Sequence, residues 1–389
     1  MALPPPVELL QELVRRPSVN PMGRTDIPTD IAHESRVADY LGELLRDLGV
    51  AFRRHEVTPG RANLVAHFAP PAPSCHLLWE AHQDTVPVDG MTIDPFAGEV
   101  RDGRVWGRGA CDVKGGITAM LSAFARHVAA NKPGSAAVTL AFTIDEEHTF
   151  LGVQHLVTTF GHRRPDFAVV AEPTGLNVVD AHKGVVRWAL ETTGVAAHSS
   201  RPEGGRNAIY AMARVVTALE EYATELVRGP RDKRLGTGTL SVGVIAGGVS
   251  PNTVPDHCRV ELDRRLLPGE SAAKAVADAT AFVRARCGDA FVTLPAAFAC
   301  PPLAASRTPA AAGFVRQLLA AIEGVAGPRQ IEAVPYGTDA STLAEAGIPA
   351  VVFGPGDIAQ AHTKDEFLAI DELHAAVEIL VRFAGDPHP

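Results

Sequence analysis

The sequence predicts an α/β fold: a mostly parallel sheet flanked by helices, with an inserted α+β domain. Three observations carry this prediction. Short apolar runs suited to buried strands alternate with segments of helical periodicity over the first half of the chain. Polar residues stand at the ends of those runs, where open α/β sheets keep their functional groups. After residue 184 the order becomes β-α-β-β-α-β, the split arrangement of ferredoxin-like domains.

Taken in order, MALPPPVELLQELVRR sets Val7, Leu9, Leu10 and Leu13 on one helical face, and with no basic segment ahead of an apolar one it reads as no signal peptide. IAHESRVADYLGELLRDLGV has helical spacing and closes on a glycine. ANLVAHF, HLLWEAH, AAVTLAFTID and DFAVVAE read as buried strands, and KGGITAMLSAFARHVAANK as a helix opened by glycines. Beyond AHKG, the stretches VVRWALETTG, TLSVGVIAGG, HCRVELDRRL and AFVTLPAAF read as strands. GRNAIYAMARVVTALEEYATELV and ESAAKAVADATAFVRARC read as helices. The inserted domain therefore spans 185–298, and 1–184 with 299–389 form the main domain. A helix near 309–323 and the strand AVVFG complete the latter.

A chain of 389 residues suits two domains, and 46% hydrophobic with 21% charged residues is a globular balance. No apolar run reaches the roughly 18 residues of a membrane span. A net charge of −9 without a Lys/Arg stripe gives no footprint for nucleic acid. The five cysteines are scattered, with no C-x-x-C pair, which points to reduced thiols in a cytoplasmic protein and away from a sulfur-ligated zinc site.

The polar strand ends collect into one constellation: His82 and Asp84 in AHQDTVP, Asp112 in GRGACDVKGG, Glu146 and Glu147 in TIDEEHTFLG, Glu172 in AEPT, and His362 in AHTKDEF. Two imidazoles and several carboxylates make a nitrogen/oxygen donor set, suited to zinc and equally to cobalt or manganese. A dinuclear site needs one bridging carboxylate and two further ligands per metal. Asp112 as bridge, His82 with Glu172 on one side and Glu147 with His362 on the other, satisfies that count. Asp84, two residues from His82 on one strand face, is placed to take the imidazole's second N–H. Glu146 is then free to accept a proton from the attacking water.

These motifs, with GVAAHSSRPEGGRNAI and NTVP…LDRR in the same order, resemble the zinc amidohydrolase and exopeptidase family of acetylornithine deacetylase, succinyl-diaminopimelate desuccinylase and glutamate carboxypeptidase. The resemblance runs from about residue 5 to 385. It implies two zinc ions, with His82, Asp112, Glu147, Glu172 and His362 as ligands, Asp84 as orienter and Glu146 as general base. It also implies a homodimer through the inserted domain, whose His198 reaches the partner's active site and stabilises the oxyanion. Asn252, Arg265 and the YGTDAS loop, with Gly337 and Thr338, would hold substrate; a guanidinium such as Arg265 grips a carboxylate with two parallel bonds.

The implied reaction is hydrolysis of an N-acyl amino acid amide, with N-acetylornithine first. Asp339 is expected to face that substrate's cationic side chain. Alternatives are an N-succinyl-diaminopimelate desuccinylase, a glutamate-type carboxypeptidase, and a catalytically silent metabolite-binding relative. Plainer readings stand beside these. Glu146–Glu147 also suit a helix start, and Asp112 a glycine turn. Gly115–Gly116 lack the spacing of a nucleotide loop. The stripe Ile209, Met212, Ala213, Val216 and Leu219 reads as core or dimer face.

Overall fold

The structure is a computed structural model that describes residues 3–161, 164–306 and 308–386. The chain divides into two compact units, one comprising 1–180, 305–332 and 338–389, the other 181–304 and 333–337. The second unit begins and ends a few residues outside the predicted insertion. Its short return segment 333–337 carries no sign in the sequence.

The first unit is built on an eight-stranded sheet. At its centre, His76–His82 lies parallel to both Ala137–Thr143 and Phe167–Val170, and Ala350–Val352 lies parallel to the latter. Phe52–Thr58 and Arg61–Phe68 form an antiparallel pair on one side, and Val178–His182 meets Ala350–Val352 antiparallel on the other. The sheet is therefore mixed, where a mostly parallel one was predicted. The antiparallel strands lie towards the sheet's edges, where Phe52–Thr58 is largely polar, has no buried residue and gives no apolar run to read.

Helices Ser35–Asp47, Lys114–Ala130, Pro309–Ala326 and Ile370–Gly385 supply apolar faces to one core with these strands, around Trp79, Phe124, Phe167 and Phe383. The Gly115–Gly116 pair serves packing. A Cβ on Gly115 would lie 2.4 Å from Leu368 Cδ2, and one on Gly116 2.7 Å from Ala171 Cβ.

The second unit holds an antiparallel sheet ordered Thr239–Gly247, His257–Leu266, Gly184–Thr193, Val292–Thr293. Numbered along the chain this is 2-3-1-4, the ferredoxin-like order read backwards, with helices Ala208–Arg228 and Ala272–Cys287 between the strands. AFVTLPAAF is not one strand. It splits into Val292–Thr293 and Phe298–Cys300, both paired with Gly184–Thr193, because Pro295 brings no N–H to a ladder. On the long helix the buried stripe is Ala208, Ala211, Met212, Val215, Ala218, Leu219 and Tyr222. Ile209 and Ala213, predicted within a core or dimer-face stripe, are exposed. No helix among the described residues is long and apolar enough to cross a membrane.

His182 is fully buried in this unit, where burial pushes its pKa down to about 4, against a weaker opposing effect of the Lys183 carbonyl, 2.9 Å from Nδ1. An imidazole that charges more readily unfolded than folded gives stability that is complete above about pH 6.5 and lost as pH falls towards 4. Acid melts should therefore show a loss of about 3 kcal/mol across that window from this residue alone. In His182→Gln, if it folds, that part of the acid limb should flatten; an unchanged limb would refute this role.

Candidate metal centre

Parallel pairing brings the predicted polar strand ends to one edge of the first unit's sheet. His82 is level with Thr143, and Glu80 with Val170, so the chain leaves both neighbouring strands beside the imidazole. Glu146, Glu147 and Glu172 follow within four residues. Asp112 and His362 arrive by another route. Arg104–Trp106 pairs antiparallel with Phe367–Ala369, which lays the turn after the first strand beside the turn before the second.

His82 Nε2 lies 3.1 Å from Asp112 Oδ1 and 3.8 Å from Glu172 Oε1. His362 Nε2 lies 3.3 Å from Asp112 Oδ2 and 3.2 Å from Glu147 Oε2. Asp112 thus offers one oxygen to each imidazole. The donor atoms of His82, Asp112 and Glu147 lie within 4.8 Å of one another, and so do those of His82, Glu146 and Glu172. His362, its side chain 53% exposed, is the one imidazole of the group open to solvent.

Burial, reinforced by neighbouring carboxylates, pushes Glu146, Glu147 and Glu172 above the usual carboxylate range. Burial acts the same way on Asp112, but hydrogen bonds from His362 and His82 outweigh it and hold this carboxyl low. Hydrogen bonds to Asp112 and Glu147 push His362 up to about 11. Four buried carboxylates facing two imidazoles form a pocket whose charge calls for cations. The nitrogen/oxygen donors fit zinc, cobalt or manganese.

Residues 78–386 match the profile of the peptidase family M20/M25/M40. The chain belongs to this family. It is 31% identical over 389 residues to an acetylornithine deacetylase of Vibrio cholerae, covering 98% of both chains. To an acetylornithine deacetylase of Photorhabdus laumondii it is 32% identical over 374 residues, covering 94% and 93%. Its fold is similar to that of an M20 metallo-carboxypeptidase from Sulfolobus solfataricus, with TM-score 0.79, 20% identity and coverage of 98% and 99%. A dinuclear metal binding peptidase of the family from Bacillus subtilis follows at TM-score 0.69 and 14% identity, with coverage of 97% and 96%. The M20 chain is therefore a hydrolase of a metallopeptidase and deacetylase family.

One expectation is refined and another corrected. His82 Nδ1 faces the backbone carbonyl of Asp84 at 3.0 Å, with the Asp84 carboxylate farther off at 3.6 Å. The strand ends at His82, so alternation no longer governs where Asp84 points. Its carboxylate also accepts from Glu146 N at 3.2 Å, Glu147 N at 3.1 Å and Asn20 Nδ2 at 2.8 Å. Asp84 thus meets the ring with its carbonyl at close range and its carboxylate at longer range, and the same carboxylate steadies the acidic turn. Asp339 is fully buried, 3.3 Å from Thr143 Oγ1, and is closed to any substrate.

Asn20 was not foreseen. Its amide also donates to Asp145 at 2.9 Å, which in turn pairs with Arg61. An asparagine in SVNP has no spacing that reports a partner 125 residues away.

In the second unit, Ala197–His198 pairs with Thr253–Val254, and Ser199 N donates to Asn252 O at 3.0 Å. His198 and Asn252 are therefore neighbours. His198 Nδ1 accepts from Ser200 N at 3.1 Å. Arg264 is buried against Glu270, while Arg265 stands on the other face of its strand, held by Asp263 at 2.8 Å. Gly337 closes the return segment of this unit. Thr338, back in the first unit, is buried, with its hydroxyl accepting from Ala340 N at 3.3 Å.

Proposed function

We propose that this M20 chain hydrolyses the amide bond of N-acetylornithine, releasing acetate and ornithine. The observation that carries the reading is Asp112 standing between the two imidazoles, one oxygen to each. The full-length similarity to acetylornithine deacetylases supports this choice of substrate. His82, Asp112 and Glu172 would hold one cation; His362, Asp112 and Glu147 would hold the other. Zinc is the first choice, with cobalt or manganese as substitutes. When bound, the cations supply Lewis acidity towards water and the amide carbonyl.

Glu146, buried and fixed through its backbone by Asp84, accepts the proton as the water oxygen bonds to the acyl carbon. It returns that proton to nitrogen as the C–N bond breaks. His198 donates from Nε2 to the oxyanion, a tautomer supported by the Ser200 N–H occupying Nδ1. Asn252, Arg265, Gly337 and Thr338 hold the substrate, whose carboxylate replaces Asp263 on Arg265. The second unit acts as lid and dimer surface, and its exposed Tyr210, Val244, Ile245 and Val249 support a homodimer. The five free cysteines suit a cytoplasmic setting.

N-acetylornithine should release acetate, lose turnover on chelation and regain it with zinc or cobalt. Release of succinate from N-succinyl-diaminopimelate or of glutamate from a peptide, without acetate, would transfer the assignment to those substrates. No hydrolysis across the panel would leave a silent binder. His198→Ala should lower kcat by about 100- to 1000-fold, the usual cost of one oxyanion donor, with little change in metal content. A fully active monomer at assay concentration would remove the histidine acting in trans.

A further inference from the structure

Glu366 has no part in the proposed reaction, yet it is fully buried beside the candidate metal centre. One carboxylate oxygen accepts from Cys111 N and Asp112 N, both at 2.9 Å. The other accepts from Gly109 N at 3.0 Å and Arg108 Nη1 at 2.7 Å. Its main-chain carbonyl accepts from Gly107 N at 3.0 Å. Arg108 also reaches Pro87 O at 3.1 Å, in the loop that follows His82 and Asp84. Glu366 itself lies four residues after His362 and directly before the strand paired with Arg104–Trp106.

Glu366 therefore ties the turn carrying Asp112 to its own segment after His362 and, through Arg108, to the loop that follows His82. The turn 107–112 needs such a partner. Gly109 adopts φ +79°, and a Cβ there would stand 2.6 Å from Thr85 Cγ2, so the turn packs tightly with its amides aimed inward. Buried N–H groups without an acceptor are costly. The charge of Arg108 and three amides together offset the burial of Glu366. Asp112, held from behind by its amide, turns both oxygens towards the imidazoles.

We infer that Glu366 is a positioning residue that aims the Asp112 carboxylate and the His362 turn before any cation arrives, an inference that rests on the dinuclear reading. Glu366→Gln tests it well, because an amide offers one acceptor oxygen where four donors converge on two. The variant should bind Co2+ roughly 10- to 100-fold more weakly than the parent, the range for residues that orient metal ligands. Its kcat should recover as Co2+ is raised. An affinity within about twofold of the parent would overturn the inference.

Amide hydrogen exchange on the chelated parent chain gives a second reading that needs no variant. Residues 109–112 should be as protected before Co2+ as after. Rapid exchange there until Co2+ is added would assign the ordering to the cation and sink the role of Glu366. Should Glu366→Gln not fold, this measurement decides alone. A parent chain that binds no Co2+ would instead overturn the dinuclear reading, while exchange at 109–112 still decides what Glu366 does.

Discussion

Glu146→Gln is expected to fold, keep both cations and lose about 10^3- to 10^4-fold in kcat, at the upper end of what a positioned general base contributes. Glutamine preserves shape and backbone, so the two amides that donate to Asp84 stay in place. It cannot take a proton. The geometry makes metal content an essential companion measurement, because a Glu146 oxygen lies within 4.8 Å of the donor atoms of His82 and Glu172. A ligand would lose cation and activity together; a base loses activity alone. Retention of more than about a tenth of parental kcat would remove Glu146 from the base role.

Asp112→Ala should be at least as damaging, by a different route. Asp112 lies 3.1 Å from one imidazole and 3.3 Å from the other, so truncation removes a donor from both sites at once. Metal content should fall from two per chain to below one. Activity should drop by more than the roughly 10- to 100-fold typical of residues that merely orient a ligand. Glu172→Ala offers the contrast, since its carboxylate approaches His82 alone of the two imidazoles. It should empty one site preferentially. Equal loss of both cations in the two variants would argue against the bridging role of Asp112.

His82, Glu146, Glu147 and Glu172 were legible because each ends or closely follows an apolar run, whereas Asp112 and His362 were legible only from their motifs. HLLWEAH, AAVTLAFTID and DFAVVAE are unambiguous as strands, and chemistry at such ends is conspicuous. Periodicity failed where its premise failed. Asp84 lies beyond the last strand residue, and the two-residue rule brought its carboxylate near the ring, at 3.6 Å, but did not foresee its carbonyl as the closer partner. Val292 and Phe298 belong to separate strands because one proline interrupts an apolar stretch.

The sheet's mixed direction was hidden for another reason: its antiparallel strands include exposed edge segments such as Phe52–Thr58, which carry no apolar run. Asn20 and Glu366 were invisible for a third. Their partners are far along the chain, and those of Glu366 are mostly backbone amides, which have no letter in a sequence. Asp339 shows the reverse error, since a carboxylate in a glycine-containing loop read as substrate-facing and proved buried against Thr143 and Glu80.

Anomalous diffraction from crystals grown with zinc, recorded at the zinc edge, tests the central claim most directly. The account predicts two peaks about 3.5–4 Å apart, the separation of paired catalytic metals. Each should lie about 2.0–2.2 Å from one imidazole Nε2 and one Asp112 oxygen, with Glu172 completing the His82 side and Glu147 the His362 side. A single peak, or two peaks that leave Asp112 uncoordinated, would contradict it.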